Sequence, residues 1–350
     1  AARPLDMVNG PLFTASLLRA GAEVHVLLVV MHHSVSDGWS FEVFHRELAA
    51  LYQAFRRGLP SPLPELPVQF AEVAVWQRRA ADAGLLEAQL AWWRERLAGR
   101  PAAPDLPYDR PRDGQPGDRA VASHRVLDRE LTRDLRAAAR AAGCSLGMVL
   151  LAGLDALLHR YTGSADLCVD GVFAGRNRPE LSGLIAFLMN TVPLRCDLSG
   201  DPTFRDLMAR ARESMLGAYA HQDVPFPFVL RDLFADQPLS RTLISRVVLN
   251  LLSFSGALPG GEVQLPDLSL EAFTLVEEHA KYDLMFIFRE GSEQVTFKLI
   301  GAADLFDRAT VTDIQRDFED LLRQAVADPD TRLSRLLPAP RQKGEEAGTN

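Results

Sequence analysis

Three cysteines, Cys144, Cys168 and Cys196, are all that the 350 residues carry. The number is odd and no two stand at C-x-x-C spacing. This excludes a disulfide framework and a thiolate zinc site and fits a reducing compartment. No apolar run reaches the roughly 18 residues of a membrane span, and no charged-then-apolar leader opens the chain. Basic residues are not in excess either: 38 Lys and Arg face 46 Asp and Glu, for a formal charge of −8. An acidic balance of this kind argues against a nucleic-acid surface. The phosphate-cradling G-x-x-x-x-G-K and the dinucleotide G-x-G-x-x-G are both missing. The expectation is a soluble, cytoplasmic protein with neither nucleic acid nor membrane as partner. An initiator methionine is also lacking, and Ala1-Ala-Arg-Pro-Leu5 reads as the interior of something longer.

What is present is a globular average: 47% hydrophobic, 24% charged and 8% aromatic residues, in a length that suits about two domains. Leu12–Leu18 and Val24–Met31 read as a β-hairpin. The second run is apolar on both faces, as in the middle of a covered sheet. A helix is expected from Ser40, the capping residue, with a stripe of Phe41, Phe44, Leu48, Leu51, Tyr52 and Phe55 ending at Gly58. Further helices are read at 70–79 and 85–97. Residues 99–118, rich in Pro and Gly and without periodicity, read as a linker. Beyond it strands are expected at 120–127, 167–173, 190–195, 246–254, 268–276, 282–289 and 294–300. Helices are expected at 129–142, 145–161, 203–220 and 309–326, with a short helical piece near 183–187. The polar 341–350 reads as a disordered tail. The sum is an α/β chain in two blocks.

The segment with chemical content is His32-His33-Ser34-Val35-Ser36-Asp37-Gly38-Trp39, between a strand and a helix. Successive strand residues point to opposite faces, so one histidine faces a crevice while the other packs beneath it. Spacing does not say which. Gly38 places a flexible backbone just before free helix amides, which suit a developing negative oxygen. A zinc site from His32, His33 and Asp37 is disfavoured by opposed side-chain directions and the want of a fourth ligand. Ser34 or Ser36 as nucleophile lacks a G-x-S-x-G elbow. Spacing alone leaves a histidine-dependent acyl or group transfer, beside the plainer possibility of a structural histidine.

His32-His33-x-x-x-Asp37-Gly38, followed by Trp39-Ser40, resembles the signature of condensation domains of nonribosomal peptide synthetases, relatives of chloramphenicol acetyltransferase. The likeness continues in order through Phe70–Arg78 (family Y-x-D-x-A-x-W-Q), Gly175-Arg176-Asn177-Arg178 and Asn190-Thr191 to Arg195. It goes on with His221-Gln-Asp-Val-Pro-Phe226 and Tyr282-Asp283-Leu284. Only the histidine motif and H-Q-D-V-P-F are specific singly. Asp170 and Ala186 stand where the family has glycine, and Leu249 where phenylalanine is common. The first lobe is expected to be incomplete, since the family's segment ahead of this start is not in the sequence.

The resemblance implies a two-lobe, V-shaped chloramphenicol acetyltransferase-like fold with a tunnel between lobes. Residues 1–98 would be the remainder of the N-terminal lobe, 99–118 the inter-lobe linker, 119–340 the C-terminal lobe and 341–350 the tail. It implies amide formation between a donor acyl thioester and an acceptor aminoacyl thioester. Both would ride on the 4′-phosphopantetheine arms of upstream and downstream carrier domains, beside an adenylation domain, with no cofactor or metal bound by the domain itself. His33 would orient the amine or take its proton, with His32, Asp37 and Gly38 completing the motif. Asp37 is expected to be buried and paired, with Arg176 the candidate partner, and Trp39, Ser40 and Asn190 to support the site. Trp76, Trp92 and Trp93 are read as packing, and His221 and Asp223 as organising their lobe. Alternatives are an epimerization domain, a degenerate docking platform and an ester-forming relative.

Overall fold

The computed structural model describes residues 5–100, 103, 105–113, 117–234, 245–252, 262–265, 268–271 and 279–336. The elements run β1 (Phe13–Arg19), β2 (His25–Met31), α1 (Gly38–Arg56), α2 (Phe70–Asp82), α3 (Glu87–Leu97), β3 (Ala120–Val126), α4 (Arg129–Ala141), α5 (Leu146–Thr162) and β4 (Asp166–Phe173). There follow β5 (Asn190–Asp197), α6 (Phe204–Ala220), α7 (Phe226–Leu233), β6 (Val247–Leu252), β7 (Glu262–Leu265), β8 (Leu268–Glu271), β9 (Leu284–Glu290), β10 (Val295–Ala302) and α8 (Arg308–Ala327). Two compact units contain them. The first comprises the described residues of 1–85, 174–189 and 254–274, and the second the rest.

In the first unit β1 and β2 pair antiparallel, Phe13 opposite Met31 and Arg19 opposite His25. β2 was expected inside a covered sheet. It instead belongs to a two-stranded sheet in which Leu17, Leu18, Val26 and Leu27 are exposed. An apolar run on both faces records suitability for burial, not the presence of a cover. α1 also departs from expectation. Its cap is Asp37, not Ser40, which sits three residues inside and closes a reciprocal capping box. Its buried face is Ser40, Val43 and Ala54, whereas Phe41, Tyr52 and Phe55 of the expected stripe are exposed. α2 is capped by Gln69 with Glu72 reaching back to the Gln69 N–H at 2.7 Å. Its Val73 packs in a small core with Leu184 and Ala186, joined by Val68, Phe70, Leu181 and Leu188. The helical turn expected near 183–187 lies at Pro179–Leu181, where proline starts it, and 184–189 carry no helix.

The second unit is built on a six-stranded mixed sheet, β3-β10-β9-β6-β4-β5, in which β6 runs parallel to both neighbours and the other pairs are antiparallel. α5 is buried along almost its whole length. Phe288 and Phe297 stack at 4.4 Å, with Phe318 of α8 edge-on to Phe297. The 99–118 segment, expected as an inter-lobe linker, is instead strapped to this unit in its described part. Tyr108 donates to Asp283 at 2.7 Å, Arg112 pairs with the same buried carboxylate, and Asp109 N–H bonds Leu305 O. Prolines deny that segment a sheet ladder but leave its side chains free to satisfy Asp283. α3 likewise groups with this unit, and 174–189 with the first. The expected 341–350 tail lies outside the described residues. Among those described, no single helix is long and apolar enough to cross a membrane.

Two of the buried carboxyls in the second unit have raised pKa values. Asp170 on β4 accepts the Tyr282 hydroxyl, and burial raises its pKa to about 7. Asp155 on α5 is fully buried beside the Cys196 thiol, and burial pushes its pKa up to about 8, the thiol offsetting part of that rise. An unfolded Asp titrates near 3.9. Folding therefore takes up a proton at Asp155 between about pH 4 and pH 8, and stability falls over that window as pH rises, by up to about 1.4 kcal/mol per unit. Asp155→Asn is expected to flatten this slope, its stability advantage over the parent growing from pH 5 to pH 8. Urea denaturation at both values checks it.

Candidate active site

The motif occupies the connection from β2 to α1, and its shape follows from where its polar groups find partners. The strand pairing ends with His32 N–H bonding Leu12 O at 2.8 Å, and Val35 N–H returns to His32 O at 3.0 Å, closing a turn. His32 Nδ1 accepts the Ser34 N–H at 3.1 Å and lies 2.7 Å from its hydroxyl. A nitrogen that accepts a backbone N–H carries no proton, so neutral His32 holds its proton on Nε2 and its ring staples the turn. His33 is the reverse. Its Nδ1 lies 2.7 Å from the Ser36 carbonyl, which only accepts, so Nδ1 bears a proton and, in the neutral ring, Nε2 is the nitrogen that keeps its lone pair. The residue is exposed. The two rings thus differ: Nδ1 of His32 accepts from the backbone, and Nδ1 of His33 donates to it.

Asp37 is 2% exposed, and its carboxylate is the hub of a cradle. Arg176, its side chain 1% exposed, pairs with it in two-pronged fashion, Nη1 to Oδ2 at 2.7 Å and Nη2 to Oδ1 at 3.0 Å. The same guanidinium donates to Ala174 O, Leu184 O and Ala186 O. Leu188 N–H bonds Oδ2 at 3.0 Å and Ser40 N–H bonds Oδ1 at 3.0 Å. Burial alone pushes the Asp37 pKa up. The Arg176 hydrogen bond and charge, with the Leu188 and Ser40 amides, outweigh it and hold the carboxyl below its ordinary value. Ser40 Oγ accepts Ala186 N–H at 3.1 Å. Trp39 Nε1 donates to Ser182 O at 2.9 Å, and its ring lies under Arg176.

Gly38 is the exposed first residue of α1. Gly175 is the glycine that the site requires: at φ +66°, a Cβ there would sit 1.9 Å from Leu188 O, so only glycine lets 174–176 approach the 186–188 backbone. Ala186 is 1% exposed and fits as a core methyl.

His32, His33, Asp37, Gly38, Trp39, Ser40 and Arg176 all fall within the first unit. Asn190 falls in the second, where it locks the start of β5 to the 222–226 loop. Its Nδ2 donates to Gln222 O and Val224 O, and its Oδ1 accepts Phe226 N–H at 3.0 Å. In that unit His221 stacks on Trp92 at 4.3 Å and gives its carbonyl to buried Trp93. A cavity of about 690 Å³ there, lined by Trp92, Arg96, Asp166, Arg195 and Glu213 among others, contains none of the motif residues. Among the described residues no three His, Cys, Asp or Glu side chains gather as a metal set. Sequence reasoning missed Phe187, whose ring meets His33 edge to face. Nothing in its local pattern marks it.

The strand-to-helix turn buries Asp37 against Arg176 and keeps His33 exposed. The family model for the condensation domain matches residues 1–346. The chain belongs to that family, the condensation domains of nonribosomal peptide synthetases, and has their chloramphenicol acetyltransferase-like α/β fold. It is 39% identical to a linear gramicidin synthase polypeptide of Brevibacillus parabrevis over 98% of its own length, which is 7% of that protein. Among solved structures it is similar to the X-domain from teicoplanin biosynthesis, free (TM-score 0.84, 30% identity, 96% of this chain and 76% of that one) and in a complex with OxyB (0.82, 30%, 96% and 74%). The first condensation domain of the calcium-dependent antibiotic synthetase shares the fold at TM-score 0.75 and 22% identity, over 94% of this chain and 70% of that one.

Proposed function

We propose that this chain joins a donor acyl or peptidyl thioester to an acceptor aminoacyl thioester, both delivered on the phosphopantetheine arms of carrier domains within a synthetase that also holds an adenylation domain. The observation that carries the reading is the anchoring of His33 Nδ1–H on Ser36 O at an exposed position, which in the neutral ring makes Nε2 the bare nitrogen. The acceptor amine attacks the donor carbonyl, the new C–N bond forms as the C–S bond breaks, and the donor arm leaves as a thiolate. The proton shed by the amine passes to Nε2 and from there neutralises the thiolate. General-base assistance of this kind is worth about 10²–10⁴-fold. The rest of the acceleration comes from holding two tethered reactants together.

The test is the chain incubated with one carrier bearing an acyl thioester and another bearing an aminoacyl thioester, in deuterated water, with both carriers read by mass spectrometry. An amide on the acceptor carrier is expected. Deuterium at Cα with no amide identifies an epimerization domain instead. A second reading, a docking platform for another enzyme, draws support from the likeness to an X-domain that has been seen in a complex with OxyB. No amide and no deuterium, with carrier binding retained, is its signature.

A further inference from the structure

The imidazole of His33 has a hydrogen bond at one corner, Nδ1 to Ser36 O. A single hydrogen bond opposes a flip of the ring but leaves its plane free to tilt about that bond. The second constraint is aromatic. Phe187 meets the imidazole with ring centroids 5.1 Å apart and planes at 89°, the edge-to-face arrangement favoured by ring quadrupoles.

Phe187 is not placed there by the core. Along the extended 184–188 segment the side chains alternate: Leu184 and Ala186 are buried and Leu188 packs against them, while Ile185 and Phe187 are 38% and 41% exposed. The outward direction of Phe187 is fixed by its neighbours on both sides. Ala186 N–H is tied to Ser40 Oγ, and Leu188 N–H to Asp37 Oδ2. The cap of α1 thus holds the backbone of 186–188, and that backbone aims the phenyl ring at the histidine just ahead of the cap.

We propose that Phe187 is a positioning residue, whose ring holds His33 in the orientation that presents Nε2 to the amine of the aminoacyl acceptor. The proposal rests on the amide-forming reading for its kinetic consequence but not for its structural one. Edge-to-face pairs bias an orientation by roughly two- to tenfold, and misplacement of a reacting group by about 1 Å costs about a hundredfold in rate. Phe187→Ala is therefore expected to lower kcat for amide formation by about two- to a hundredfold, with the acceptor KM near that of the parent. Phe187→Tyr, which keeps the ring, is expected to retain turnover. The fold should survive either change because the side chain is exposed and outside the small core.

The companion measurement needs no turnover. With ¹⁵N-histidine-labelled chain, the neutral His33 of the parent should show a protonated Nδ1 and a bare Nε2. In Phe187→Ala the two nitrogens should move toward averaged shifts as the ring reorients. Unchanged nitrogen shifts in Phe187→Ala overturn the proposal, as does a rate loss confined to KM or one that Phe187→Tyr shares. If the parent itself makes no amide, the functional reading fails, and the nitrogen shifts still decide whether Phe187 orients His33.

Discussion

Replacing Arg176 by methionine is expected to destabilise the chain by about 3–5 kcal/mol, the cost of leaving a buried carboxylate without its cation. The size follows from the geometry. Both members of the pair are almost wholly buried, and the guanidinium answers both carboxylate oxygens and three backbone carbonyls at once. Lysine is expected to rescue poorly, because one ammonium cannot reproduce a planar fork spread over those acceptors. The pH dependence has a definite sign. In the parent, the Asp37 pKa lies below its unfolded value, so the pair's contribution is present above about pH 4 and is lost as pH falls through the folded pKa. In Arg176→Met the stranded carboxyl relieves itself by taking a proton, so the deficit should be largest near neutrality and shrink toward acid. Denaturation in urea at pH 7 and pH 4 measures both. A loss under about 1 kcal/mol at pH 7, the worth of an exposed pair, would contradict the cradle.

Loss of amide formation by about 10²–10⁴-fold is expected for His33→Ala, with carrier binding and stability left near the parent's values. The exposed ring makes one hydrogen bond to a carbonyl and one aromatic contact, so its removal opens no buried void. His32→Ala should behave differently, because that ring serves the turn. The Ser34 amide loses its acceptor, and the expected outcome is a stability loss of about 1 kcal/mol with a smaller effect on turnover. Single-turnover product formation beside thermal unfolding, for both variants, separates chemistry from scaffolding. Equal turnover in His33→Ala and the parent would remove this histidine from the reaction.

Much of this was readable from residue order. The α/β character, the hairpin, and most strands and helices of the second unit follow from periodicity. The resemblance implied a buried, paired Asp37 with Arg176 as the candidate partner, and the two do pair. What was not readable has physical causes. Ser40 and Asp37 are both good caps three residues apart, and the capping box uses both, so sequence alone names the wrong one. The faces of α1 and β2 were taken from hydrophobicity, yet Phe55 and Leu27 are left in solvent while Val43 is inside. The segment read as a linker has the composition of one, and its attachment depends on Asp283, far downstream in the chain. Phe187 escaped for a related reason: an outward phenylalanine acquires meaning only when 186–188 are brought beside a turn that long precedes them.

That separation bears on how the protein is made. The carboxylate of residue 37 meets its guanidinium 139 positions later and its last amide 151 positions later. On the ribosome, the hairpin and the start of the first helix emerge well before the residues that lock them together. During that interval Asp37 is hydrated and α1 has only its local box. The histidine loop is thus set late, by a long-range closure that local propensity does not hasten. A nascent chain halted ahead of residue 188 would carry every letter of the signature while lacking the enclosure that gives it shape.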